Sequence, residues 1–160
     1  MYQEANMFKF LLTIILFTTT LPIYSEVEIA NENYDAKLAK KLGADDYGMK
    51  SYVFVTLKSG SNTSTDTDQR STSFRGHLKN IRKLVAENKL LIAGPFGQND
   101  SDFRGLFILN VTTIKEAEKL LESDPAIKAG YLKADLYEWY GSAALSEYLS
   151  ASDKVWKIKP

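Results

Sequence analysis

The sequence predicts one small α+β domain whose elements run β-α-β-β-α-β, with an antiparallel sheet carrying both helices on one face. Three observations lead there. The chain has 160 residues, 44% hydrophobic and 25% charged, which suits one ordinary core and is too short for two. Four segments read as strands, the first of them rich in β-branched and aromatic residues. Between the first and second of them, and again between the third and fourth, apolar residues recur at helical spacing.

Ahead of this domain lies an apolar run, Phe10 to Phe17, preceded by Lys9 and followed by Thr18 to Pro22. It is shorter than the roughly 20 residues a membrane-spanning helix needs, and it has the layout of a secretory signal. Ser25 offers a small residue at the cleavage position, with Ile23 two residues before it. Met7 gives an alternative start with a cleaner basic flank. Residues 1–25 therefore read as a signal peptide, 26–50 as a polar extension, 51–140 as the domain, and 141–160 as a carboxyl-terminal helix and tail. The expected address is the periplasm or the medium, with no membrane span once the signal is removed.

Within the extension, Tyr34, Leu38 and Leu42 repeat every four residues, the mark of a short amphipathic helix that Gly43 can end. Ser51 to Leu57 is the first strand. Gly60 to Ser73 is dominated by Ser, Thr, Asp and Asn and reads as a long solvated loop. Phe74, Leu78, Ile81 and Val85 then mark a helix running to about Asn88, with Ser73 as its N-cap and Lys83 and Lys89 suiting its carboxyl end. Residues 90–93 form a short strand stopped by Gly94 and Pro95, and after a polar turn the next strand runs from Phe103 to Val111. Thr113 and Glu116 make a capping box for a second helix whose inner face is Ala117, Leu120 and Leu121. Asp124 and Pro125 end that helix, because the residue before proline is pushed out of the α region. Tyr131 to Trp139 is the last strand, and a short helix follows Gly141, around Ala143 to Leu149. The order is that of the ferredoxin-like fold. With helices on one face only, the other face must meet water, a ligand or a second subunit. Tyr131, Tyr137 and Trp139 share one side of the last strand by alternation, and a bare aromatic face points to a homodimer.

Charge and composition narrow the chemistry. Twenty basic residues balance twenty acidic ones, and cleavage after Ser25 removes Glu4 and Lys9, one of each sign. Without a basic surplus, neither nucleic acid nor an anionic membrane is favoured as a partner. There are no cysteines, so disulfides, thiol catalysis and thiolate metal sites are excluded. His77 is the only histidine, which excludes a metal site built from several imidazoles. The pairs Asp66/Asp68 and Asp100/Asp102 lack the spacing of a calcium loop and read as solvated turn acids. No metal or cofactor is expected. Asn62 and Asn110 open glycosylation sequons, which matter only in a eukaryotic secretory pathway.

His77 borders the apolar stripe of its helix and looks toward the sheet. A carboxylate accepting a hydrogen bond from one imidazole nitrogen fixes the tautomer and leaves the other nitrogen for proton transfer. Asp100 and Asp102, in the turn after Gly94-Pro95, are the candidates from the neighbouring strand end.

At these residues a family resemblance appears. Gly76-His77-Leu78, Leu90 to Pro95, Asp100, Arg104 to Ile108, Glu116-Ala117 and Ser123-Asp124-Pro125 stand in the order and spacing of the YCII-like family. The likeness covers about residues 51–140. It implies a ferredoxin-like fold, usually dimeric, with a His–Asp pair as active site. By position that pair is His77 and Asp100, while Asp124-Pro125 is a structural closure of the second helix. The family also includes a branch that removes chloride from a chlorinated hydroxyquinol.

Two functional readings follow. One is a cofactor-free enzyme of lyase or dehalogenase type acting on a small phenolic or acidic substrate. His77 serves as general acid or base, Asp100 orients it, and Arg75 or Arg104 attracts the substrate. The other is a non-catalytic dimeric module of the cell envelope that binds a small ligand or assists a partner. A pocket opening onto both His77 and Asp100 favours the enzyme, and a filled interior around His77 favours the module.

The amino-terminal pattern makes a direct prediction. Amino-terminal sequencing of protein from an envelope or medium fraction should begin at Glu26. Recovery of the intact precursor from the cytoplasm would overturn the export reading.

Overall fold

The structure, a computed structural model, describes residues 31–158. The expected signal peptide and its cleavage site lie outside them. Met1–Tyr34 and Asp35–Pro160 are separate units. Of the first, only residues 31–34 are described, a turn closed by the Tyr34 N–H donating to the Asn31 carbonyl at 3.0 Å. The helices and strands described all belong to the second unit.

That unit begins with helix α1, Ala36–Leu42, capped by the Asp35 side chain and ended by Gly43 at φ 72°. The positive φ is one that glycine adopts without strain. The Tyr34–Leu38–Leu42 stripe does not face a core: no residue of α1 is buried, and Leu38 is 41% exposed. Strand β1, Met49–Ser59, comes next. Helix α2, Thr67–Ala86, follows and starts a full two turns before the expected Ser73 cap. Asp66 caps it instead, its Oδ1 accepting from the N–H groups of Asp68 and Gln69 at 3.0 and 2.9 Å. Ser73 lies inside the helix and is buried. The polar composition of residues 67–72 hid a solvated first turn, since side-chain capping needs no apolar signal.

Strands β2, Leu90–Pro95, and β3, Phe103–Leu109, form the expected hairpin. Helix α3, Ile114–Leu121, is capped by Thr113, whose Oγ1 accepts from the Glu116 N–H at 3.2 Å. Asp124-Pro125 does more than end α3. It opens a further turn, α4, Pro125–Lys128, with Asp124 as N-cap and proline in the first turn, where its missing N–H costs nothing. Strand β4, Leu132–Ser142, runs three residues past Trp139. It leads into a 3-10 turn, Ala143–Glu147, and helix α5, Tyr148–Val155. Gly141, expected to open the last helix, lies within β4 under the Trp139 indole. A Cβ there would sit 2.3 Å from a ring carbon.

The sheet order is β2-β3-β1-β4 with every pairing antiparallel. This is the predicted ferredoxin-like α+β fold. Two-residue alternation divides β1 between the sheet faces. Val53, Val55 and Leu57 pack with Phe107, Leu109 and Leu132 and with the apolar sides of α2, α3 and α4. On the opposite face Tyr52 and Ile108 pack with Leu91, and Leu145 and Leu149 of the carboxyl-terminal segment cover them. The second face is thus partly roofed, not wholly open. What remains uncovered includes Phe54 with Tyr137 (ring centroids 6.4 Å apart) and Trp139 beside Tyr52.

Tyr131 does not share that face. It precedes β4, its ring contacts Phe74 of α2, and its hydroxyl donates to Gln69 Oε1 at 2.9 Å. The strand alternation begins only at Leu132, the first residue of β4 paired with β1, whereas the Tyr131 N–H still donates to the Ala126 carbonyl of α4 at 2.9 Å. No helix among the described residues is long and apolar enough to cross a membrane.

Candidate active site

His77 stands in the middle of α2 and points into the helix-covered side of the sheet. Phe107 of β3 stacks on its ring at 5.9 Å and 23°, and Phe74, one turn earlier, meets it edge-on at 6.2 Å. The residue is 8% exposed. Its Nδ1 lies 2.8 Å from Oδ2 of Asp124, a residue with no solvent exposure at all.

Local structure explains why a carboxylate is tolerated there. As the N-cap of α4, Asp124 uses Oδ1 to accept the N–H groups of Ala126 and Ile127 at 3.0 and 3.2 Å. Its Oδ2 accepts from Asn80 Nδ2 at 3.2 Å as well as from His77. A buried charge is stable only when its acceptor positions are filled in this way. Asn80 is positioned in turn by Ser123, whose hydroxyl donates to its Oδ1 at 3.4 Å. Burial pushes the Asp124 carboxyl upward. The hydrogen bond and positive charge of His77, the Ile127 N–H and the Asn80 amide together outweigh burial, so its pKa lies below the ordinary aspartate value.

An ionised carboxylate can only accept, so Nδ1 of His77 carries the proton in this contact. Neutral His77 then keeps its lone pair on Nε2. No hydrogen bond engages Nε2 among the described residues.

Glycine makes the approach possible. A Cβ on Gly76 would lie 2.6 Å from Cγ of Pro125, closer than packed carbon atoms allow. Its absence lets α2 lie directly on α4 and brings His77 and Asp124 together.

The other expected site residues are elsewhere. Asp100 is exposed in the β2–β3 turn and makes no side-chain hydrogen bond or ion pair among the described residues. The partner of His77 is Asp124, not Asp100, because α4 rather than the hairpin turn lies against this part of α2. Arg75 is exposed on α2, its guanidinium donating to Ser71 Oγ and Thr72 Oγ1 of its own helix at 2.7 and 2.8 Å. Arg104 alternates with Leu106 and Ile108, which belong to the opposite sheet face, so it is separated from His77 by the sheet. Asp102 accepts from Ser59 Oγ at 2.9 Å and holds the end of the hairpin turn. The readable signal for Asp124 was its N-cap position before Pro125. Nothing in its spacing showed that the second carboxylate oxygen meets His77.

Two grooves of the described surface lie near the helices that frame this site. One, of about 590 Å³, lies between α3, α4 and β4 over Leu121, Ile127 and Leu136. The other, of about 370 Å³, lies between the end of α2 and α3. His77 lines neither. No cluster of three or more potential metal-ligating side chains occurs among the described residues.

A family model described as the YCII-related domain matches residues 52–139, a span that includes His77 and Asp124. The solved structure of 5-chloro-2-hydroxyhydroquinone dehydrochlorinase from Burkholderia phenoliruptrix AC1100, in complex with 2,5-dihydroxybenzoquinone, is similar over 54% of this chain and 92% of its own. The identity is 23% and the TM-score 0.39. No curated protein matches the chain.

The pair has a testable energetic signature. Asp124→Asn keeps the cap and the shape but loses the charge, and should cost about 1–3 kcal/mol at pH 7. Asp124→Ala also loses the cap and leaves buried donors unmatched, and should cost about 3–5 kcal/mol. Because the folded-state pKa of Asp124 is depressed, its contribution is present above the unfolded value of about 3.9 and fades as pH falls below it. Urea denaturation of wild type and Asp124→Asn at pH 7 and pH 3 measures this. A stability difference that is absent at pH 7, or as large at pH 3, would refute the assignment.

Proposed function

The chain belongs to the family of YCII-related domains, and on that premise we propose that it is a small acid–base enzyme of lyase or dehalogenase type. His77 exchanges a proton with a small phenolic or acidic substrate, and Asp124 holds the imidazole. The observation that carries this reading is the 2.8 Å contact from His77 Nδ1 to a carboxylate fixed by three further donors. Such a contact sets the tautomer and stabilises the imidazolium, which is the role of an orienting carboxylate beside a catalytic histidine.

In the forward direction Nε2 removes a proton from a position conjugated with the leaving group. The freed electron pair forms the new double bond, and the leaving group departs with its own bonding pair. The imidazolium then returns the proton to water, so the net loss is one molecule of acid. This needs one base with a fixed lone pair, which is what the His77–Asp124 pair supplies.

A second reading has its own support. His77 is packed between Phe74 and Phe107 and lines neither surface groove. This favours a non-catalytic module that binds a small ligand or assists a partner, with the pair serving the fold. On either reading the protein is an exported homodimer. Export rests on the sequence pattern of residues 9–25. The homodimer is supported by the uncovered face at Phe54, Tyr137 and Trp139, the last two 51% and 37% exposed.

Turnover of a panel of chlorinated and unsubstituted hydroquinones and small hydroxy acids, followed by acid release, separates the two readings. The enzyme reading expects His77→Gln to lose at least about 100-fold in rate with its circular dichroism unchanged. Activity that survives His77→Gln removes His77 from the chemistry and refutes the proposed mechanism, whereas ligand binding without turnover leaves the module. For the dimer, light scattering at micromolar concentration should give twice the mature mass, and Tyr137→Lys should shift it toward the monomer. A wild type that is strictly monomeric would refute that part of the proposal.

A further inference from the structure

Neither of the arginines expected to bind substrate stands beside His77, but a third is joined to it through one intervening ring, that of Phe74. Arg70 is the fourth residue of α2, and its guanidinium carbon lies 5.6 Å from the ring centre of Phe74 and 5.8 Å from that of Tyr131. Those rings touch each other, with centroids 6.3 Å apart, and Phe74 continues to His77 at 6.2 Å. Tyr131 is buried and tied through its hydroxyl to Gln69. Arg70 therefore rests on a fixed two-ring platform that ends at the imidazole.

Helix geometry puts the three residues on one stripe. Arg70, Phe74 and His77 stand at i, i+4 and i+7, and seven residues rise about 10 Å along the axis. The guanidinium makes no hydrogen bond or ion pair among the described residues. Arg75, by contrast, is occupied by Ser71 and Thr72. The acidic residue one turn before Arg70, Asp66, is engaged in capping, its Oδ1 accepting from Asp68 and Gln69. Contact with the two rings uses none of the N–H donors of Arg70, so they stay available. The guanidinium edge matches a carboxylate in two parallel hydrogen bonds.

We infer that Arg70 is the specificity residue of the His77 site and that it selects a hydroxylated aromatic carboxylate. The acid group meets the guanidinium edge, the ring passes over Phe74, and the hydroxyl meets His77. Arg70 touches the substrate's anion and takes no part in proton transfer. The inference rests on the reading of His77 as the reacting residue. It adds to that reading a substrate class and the residue that chooses it.

The single histidine gives a clean reporter, because its ring resonances overlap with no other. The probes are 4-hydroxybenzoate and phenol, titrated into the full exported chain while the His77 ring signals are followed by NMR. Wild type should bind 4-hydroxybenzoate at least about tenfold more tightly than phenol. Arg70→Gln should abolish that preference, weakening the acid about tenfold and phenol less than about twofold. Arg70→Lys keeps the charge without the planar fork and should fall between them. Arg75→Gln and Arg104→Gln should leave both probes unchanged. If phenol perturbs His77 but the preference for the acid survives Arg70→Gln, the inference is overturned and the reading of His77 stands. If neither probe perturbs His77, both fall together.

Discussion

Asp124 is sealed from solvent and accepts four hydrogen bonds, two from the backbone of α4 and one each from His77 and Asn80 of α2. This carboxylate joins two elements that are 47 residues apart in the chain. Once it is buried, its neighbours have little freedom. The α4 turn must begin at Pro125 to present its N–H groups. Helix α2 must come close enough for His77 to reach, which requires a residue without a Cβ at position 76. The imidazole must then lie flat against Phe107. One buried charge therefore dictates a cap, a helix contact and a ring orientation.

Stability alone does not call for such an arrangement. Removing a carboxylate from water costs several kcal/mol, and apolar residues of similar volume often serve a core as well or better. Here the cost is offset by filling the acceptor positions with groups that needed partners in any case: two helix N-terminal N–H groups and a buried amide. The same economy fixes the histidine tautomer, since an ionised acceptor admits only a protonated Nδ1. Structure and candidate chemistry thus rest on one interaction.

The sheet divides the molecule's resources between its two faces. The face under α2, α3 and α4 holds the continuous apolar layer, the His77–Asp124 pair and the Arg70 platform. The other face carries Arg104, the ion pair between Lys58 and Asp135 at 2.8 Å, and the aromatic side chains of β4. The carboxyl-terminal segment roofs only the part over Tyr52, Leu91 and Ile108. Sequence proximity is a poor guide to this division. Arg104 and Phe107 are three residues apart on one strand, yet alternation sends only Phe107 to the histidine.

Local periodicity and capping chemistry are written in the chain, and they carried the fold. The two-residue repeat of β1, the capping box at Thr113, the turn before Phe103 and the glycine after α1 each depend on neighbours within a few residues. The order β-α-β-β-α-β and the place of His77 on the inner side of its helix follow from these signals alone. The early start of α2 escaped because its first turns are solvated and polar, stabilised by the Asp66 side chain and not by an apolar stripe. Tyr131 falls on the other face from Tyr137 and Trp139 because it is still hydrogen-bonded to α4, and the alternation of the last strand starts only at Leu132. The partner of His77 is hidden in the sequence for a deeper reason. Asp100 and Asp124 are equally able to accept a hydrogen bond, and no spacing in the sequence distinguishes them. Only the packing of α2 on α4, allowed by the missing Cβ of Gly76, decides which carboxylate is buried beside the imidazole and which is left in water.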